Sequence, residues 1–239
     1  MIRNNIKLLS IIISKQVTYN LKIIFGNRFV YFFAASILFY LLVTIINVFS
    51  INAITVENVY YQLIFPCLLF IFFPTAFGVQ NDADARILEI IFGIPNYRYK
   101  VYLIRLLIII AFLWVYIIFL SILSSFLLVY VPVLEMSVRV LVPIIFFGMV
   151  GFSFSTIIRN GSATVVIMII LGLIFWILSE ILEFSRWNLF LNPFSYPDSM
   201  SESVWASVIR HNRNIYLTAS LLLMLWGFLN LQKREKFMR

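Results

Sequence analysis

Six stretches of the chain, residues 29–49, 59–79, 106–131, 141–158, 163–182 and 215–231, are runs of about twenty residues dominated by Ile, Leu, Val, Phe and Ala. A helix needs about 20 apolar residues to cross the ~30 Å hydrocarbon core of a bilayer. No water-soluble interior built from 239 residues takes in six such segments. The composition agrees, with 63% hydrophobic and 12% charged residues, against about 45–50% apolar and 25% charged in soluble domains. The chain therefore reads as an all-α membrane protein with six transmembrane helices. A soluble enzyme, a disordered chain and a disulfide-stapled secreted domain are excluded together. The connections are too short for a soluble domain, and no glycine-rich phosphate loop ending in Lys-Ser or Lys-Thr occurs.

The net charge of +8 would point to nucleic acid in a soluble protein, but here its placement sets orientation. With a cytoplasmic N-terminus, 14 of the 18 Lys and Arg residues fall in inside segments, leaving Arg139, Arg186, Arg210 and Arg213 outside. Both termini are thus expected in the cytoplasm, and no nucleic-acid partner is expected. Residues 1–28 carry Arg3, Lys7, Lys15 and Lys22 within an arc of about 120° on a helical wheel. That pattern predicts an amphipathic helix lying on the anionic lipid surface, or else a simple set of basic anchors. The single domain divides into this segment, a six-helix membrane domain over 29–231 and a basic tail over 232–239.

The middles of the spans hold no Asp, Glu, Lys or Arg; Arg105, Arg139, Glu180 and Glu183 sit at their ends. Ionisable groups inside a membrane usually mark ion pathways or proton relays. Their scarcity argues against a proton-coupled carrier, and against an intramembrane enzyme with its nucleophile, base or metal set. Cys67 and His211 have no partners that suggest a metal site. Ser121, Ser124, Ser125, Ser153, Ser155 and Thr156 lack a base in sequence and read as helix-packing or backbone-bonded hydroxyls. Pro66 and Pro74 predict a kink in the second span. The aromatic residues of 183–214 predict short helices at the outer face, broken by Pro193 and Pro197 and able to form a lid.

The segment between the second and third spans is the most distinctive. It predicts a short helix over 82–94, with Asn81 or Asp82 as its cap, Asp82 and Asp84 at its positive end, and a stop at Gly93 and Pro95. Asn96 can cap the helix that follows. Its Ile87, Leu88, Ile90, Ile91 and Phe92 are more apolar than an exposed turn requires. Such a helix either docks another protein or rests on lipid.

In order, Asp82, Leu88-Glu89, Ile90-Ile91-Phe92, Pro95 and Arg98-Tyr99-Lys100 resemble the coupling region of the membrane subunit of ABC-2 class transporters, the type V exporter architecture. Two departures stand out: Arg86-Ile87 replaces the small pair common before Leu-Glu, and Asp82 replaces the commoner Glu. The six-span layout, Asn192-Pro193-Phe194 before the last span and the basic ending are also similar to that family. The resemblance implies a permease that does no chemistry itself and binds no cofactor. ATP and Mg would be handled by a separate ABC ATPase subunit, and a second permease subunit, identical or paralogous, would complete the path. Substrates of that family are amphipathic exports such as lipids, glycans, peptides or drugs, and the membrane is the plasma membrane, in the form common in bacteria. The contact with the ATPase subunit would fall on Asp82, Asp84, Arg86, Glu89, Ile91, Phe92, Pro95 and Arg98. Ile91 and Phe92 would be its apolar anchors and Glu89 and Arg98 its charged rim, with neither Phe92 nor Glu89 facing the spans. The competing reading is a membrane-embedded scaffold or assembly protein without transport activity.

Overall fold

A computed structural model describes residues 29–50, 53–84 and 88–232. The amphipathic segment read over residues 1–28 and the tail beyond Gln232 lie outside the described residues, as does Arg86. All regular elements among the described residues are helical. They are α1 (Phe29–Val48), α2 (Val56–Ala76), α3 (Gly78–Asp84) and α4 (Leu88–Gly93), then a π-helical stretch (Arg98–Leu103) running directly into α5 (Ile104–Leu127). They continue with α6 (Val133–Ile158), α7 (Gly161–Ile181) and α8 (Glu202–Leu231). Counting α3 as a continuation of α2, six of these runs are long and apolar enough to cross a bilayer. The chain is a multi-pass membrane protein.

Helices α2 and α6 form the centre of the bundle. The most apolar stretch of the second span is 78% buried and that of α6 is 72% buried, against 22% for α1 and 17% for α7. Close approach is what lets two helices share the centre, and small residues permit it. Gly151 of α6 faces both neighbours: a Cβ there would lie 2.7 Å from Thr75 Oγ1 of α2 and 2.7 Å from Met168 Sδ of α7. Aromatic rings fill the remaining core, with Phe70 stacked on Tyr116 at 4.9 Å and Phe147 on Phe190 at 5.9 Å.

Hydroxyl and amide groups tie the helices where lipid offers no competing partner. Ser36 of α1 lies 2.6 Å from the Tyr116 hydroxyl of α5 and donates to the Pro66 carbonyl of α2 at 2.6 Å. Tyr40 and Ser124 join α1 to α5 at 2.8 Å, and Gln62 donates to Thr44 at 2.6 Å. Ser153 donates across to the Leu223 carbonyl of α8 at 2.6 Å, while Ser155 and Thr156 bond to carbonyls of their own helix. These serines and Thr156 are packing groups, as their sequence context indicates.

Several boundaries differ from those read in sequence. Helix α6 begins at Val133 rather than 141, and α8 at Glu202 rather than 215. Both early turns carry charged residues that a hydropathy scan rejects, yet both keep a helical stripe of buried residues. In α6 the stripe starts with Met136 and Val140; in α8 it runs Trp205, Ile209, Asn212, Arg213, Tyr216. The short helices expected over 183–214 are absent: residues 182–201 form turns, and 202–214 are the start of α8. That turn segment is not a loose surface loop. Leu189, Phe190 and Leu191 are almost wholly buried, and Asn192 donates to the Glu57 carbonyl at 3.1 Å.

Helix α6 passes into α7 through two residues. Arg159 takes a left-handed conformation (φ 58°), and the Asn160 side chain caps α7 by accepting from the Ala163 amide at 3.0 Å. Gly161 then sits against the Phe77 ring, too close for any Cβ, and its amide donates to Gln80 Oε1 at 2.6 Å. The turn is thus clamped to the α2–α3 junction, which fixes the end of the bundle at which the candidate site lies.

Candidate functional site

The segment singled out in sequence lies at the end of the bundle where α2 gives way to α3. Asp82 is not a cap there. It lies inside α3, fully buried, and its Oδ2 accepts from Arg105 Nη1 of α5 at 2.5 Å. Arg105 is itself 7% exposed, and its guanidinium lies 5.7 Å from the Tyr102 ring centroid. The Tyr102 hydroxyl and Asp82 Oδ1 are buried beside the pair without a hydrogen-bond partner. Beside the pair is a cavity of about 30 Å³ lined by Pro74, Thr75, Gly78, Tyr102 and Phe152 among others, room for a water or two. Asp82 is therefore an internal strut between α3 and α5, which corrects its reading as a surface contact.

Ile91 and Phe92 require the same correction. They are 3% and 4% exposed, and the cover comes from this chain. With Leu88 they share one apolar cluster with Tyr97, Tyr102, Met149, Phe152, Phe228 and Leu231. The Phe92 ring meets Tyr97 edge-on at 5.0 Å, and the Tyr97 hydroxyl donates to the Leu231 carbonyl of α8. These two residues do face the spans. The outward side of α4 carries Ile90, 69% exposed, and the strip continues through the exposed Gly93, Pro95, Asn96, Tyr99 and Lys100.

The remaining residues read as contacts divide as follows. Asp84 is exposed and accepts from Gln80 at 3.3 Å, and Pro95 is exposed. Arg98 is half-buried, lies 5.6 Å from the Tyr99 ring centroid and sits against the side-chain amide of Gln232. Arg86 and the side chain of Glu89 lie outside the described residues. Asn96 adopts a left-handed conformation (φ 59°), and its carbonyl accepts from the Tyr99 and Lys100 amides at 3.0 and 3.1 Å. It thereby turns the chain from α4 into the π-helical stretch. Asn is among the few residues that take this conformation at low cost.

Sequence reasoning missed Arg105, Tyr97 and Tyr102 as members of this site. The available signal was the recurrence Tyr97, Tyr102, Arg105, Leu106, Ile109, which marks one buried side of the third span. A separate apolar groove of about 300 Å³ runs between α2 and α7, lined by Leu68, Phe72, Met168, Gly172, Trp176 and Phe190 among others. Its size is at the lower limit of ligand-binding clefts. Among the described residues no group of three or more His, Cys, Asp or Glu is placed to hold a metal.

No family model, no curated protein and no solved structure matches the chain.

Proposed function

We propose that the chain is the membrane-spanning permease subunit of an ABC-2 type transporter, working with a separate ATPase subunit and a second permease subunit to export an amphipathic substrate. The support is the ordered run from Asp82 through Leu88-Glu89 and Pro95 to Arg98-Tyr99-Lys100 within a six-span layout. The observation that carries the reading is how that run is mounted. Leu88, Ile91, Phe92 and Tyr97 share one buried cluster with Met149 and Phe152 of α6 and Phe228 of α8, and Asp82 is bolted to α5. A load applied to the exposed side of α4 therefore passes through close-packed side chains to three spanning helices, as coupling to ATP hydrolysis requires.

In this reading the ATPase subunit meets Ile90, Pro95, Tyr99 and Lys100 together with Glu89, while Ile91 and Phe92 hold the platform in place. The positive-inside partition supports a cytoplasmic position for this end. The test is co-purification of an ATPase subunit with the chain, and stimulation of its ATP hydrolysis, for Ile90→Asp and Phe92→Ala beside the parent. Ile90→Asp should keep the parent's unfolding temperature and lose the partner. Phe92→Ala should lower this chain's own stability by about 3–5 kcal/mol, the cost of emptying a buried aromatic site. Full partner binding and full stimulation in Ile90→Asp would sink the proposal.

A further inference from the structure

The four arginines that break the positive-inside partition are Arg139, Arg186, Arg210 and Arg213. The fold gathers three of them. Arg139 of α6 with Arg210 and Arg213 of α8 line one open depression of about 530 Å³, completed by Pro193, Tyr196, Glu202 and Trp205 among others. That volume is within the range of small-molecule sites.

Arg213 lies at its floor, 7% exposed. One nitrogen, Nη2, donates to the Tyr60 hydroxyl and to the Leu191 carbonyl, both at 3.1 Å. Its Nε and Nη1 are buried with no hydrogen-bond acceptor, and so is Trp205 Nε1 in the same lining. Among the described residues neither Arg210 nor Arg213 is in an ion pair, while Arg139 has a partial partner in Glu135 at 3.4 Å. Glu202 is the one carboxylate in the lining, so positive charge remains uncompensated. A buried guanidinium without a counter-charge is costly, and the charge of this depression suits an anion.

Its depth narrows the anion's identity. Tyr60, which holds Arg213, stands near the start of the Val56–Asp84 span and Asp82 near its end. A span of that length crosses the hydrocarbon core, which puts Arg213 and Asp82 toward opposite ends of it. The exposed Trp187 and Tyr196 at this end fit an interfacial belt. Phosphate is the anion native to that level, and guanidinium forks suit it.

We propose that the depression between α6 and α8 binds a net-anionic phosphate, one not neutralised by a cationic group of its own, at the bilayer surface, through Arg210 and Arg139 on its walls and the charge of Arg213 at its floor. The site is independent of the coupling role of α4, since it needs no partner chain. The experiment follows thermal unfolding of the purified full chain in neutral detergent during titration with dihexanoyl-phosphatidylglycerol, dihexanoyl-phosphatidylcholine or inorganic phosphate. Saturable stabilisation by phosphatidylglycerol, absent with phosphatidylcholine, is expected. Inorganic phosphate acting equally well identifies a free phosphate ligand, and phosphatidylglycerol acting alone identifies a lipid headgroup; either supports the site. Arg210→Gln, at an exposed position, should fold normally and raise the half-saturating concentration roughly tenfold, the loss of one charged hydrogen bond. Equal effects of the two lipids, or an unchanged midpoint in both Arg210→Gln and Arg139→Gln, overturn the proposal.

Discussion

The Asp82–Arg105 pair makes a quantitative demand on this fold. Replacing Arg105 by Met leaves a carboxylate that is 0% exposed without its guanidinium partner at 2.5 Å. Removing one member of a buried pair costs about 3–5 kcal/mol, because the other charge stays behind. Asp82→Val should fall in the lower part of that range, because the longer Arg105 side chain can carry its charge toward the membrane surface. The double variant Asp82→Val/Arg105→Met removes both charges and roughly conserves volume. It should unfold within about 1 kcal/mol of the parent. At about 2–4 °C per kcal/mol for a chain of this size, the Arg105→Met variant drops by roughly 6–20 °C while the double variant stays near the parent. Intrinsic fluorescence of the purified protein during heating reads all four members of the cycle. If the double variant loses the sum of the two single losses, the side chains do not act as a pair and the strut between α3 and α5 is wrong.

Two further outcomes are open to simple measurement. Gly161→Ala forces a methyl group into the Phe77 ring and should cost about 1–3 kcal/mol; Phe77→Leu in the same chain should recover part of that loss in unfolding temperature. Single cysteines at Ser162 and Ser199, both exposed positions, should label from opposite sides of the membrane in a Cys67→Ala background. Ser199 is expected to react from outside and Ser162 only from the cytoplasm; labelling of Ser162 from outside would reverse the assigned orientation.

The six spans were legible in the sequence because transfer of some twenty apolar side chains into lipid is a property of the segment itself. The partition of Lys and Arg is equally local, and so is the break at Gly93 and Pro95, which rests on backbone preferences of those residues. Where a helix continues past the lipid, hydropathy has nothing to report. Glu202–Asn214 and the first two turns of α6 are helical because their inner faces find Leu191, Phe184 and the central core, and those partners are distant in sequence.

The candidate site divides along the same line. Ile91 and Phe92 form an apolar helix face whether the cover comes from a partner or from the chain's own α6 and α8. Periodicity cannot separate the two, and only packing showed that this chain supplies the cover. Asp82 satisfies the pattern of a helix cap until Arg105, 23 positions on, is brought to 2.5 Å by the return of the chain through α4 and the π-helical stretch. Likewise Arg139, Arg210 and Arg213 are scattered exceptions to a charge rule along the chain. They share a depression because α6 and α8 run side by side and Leu191 and Tyr60 fix the Arg213 side chain between them. Hydropathy, charge and turn chemistry act over a few residues and are written in the sequence. Which buried side chain meets which is decided by the relative rotation of whole helices, and that exists only once the bundle has closed.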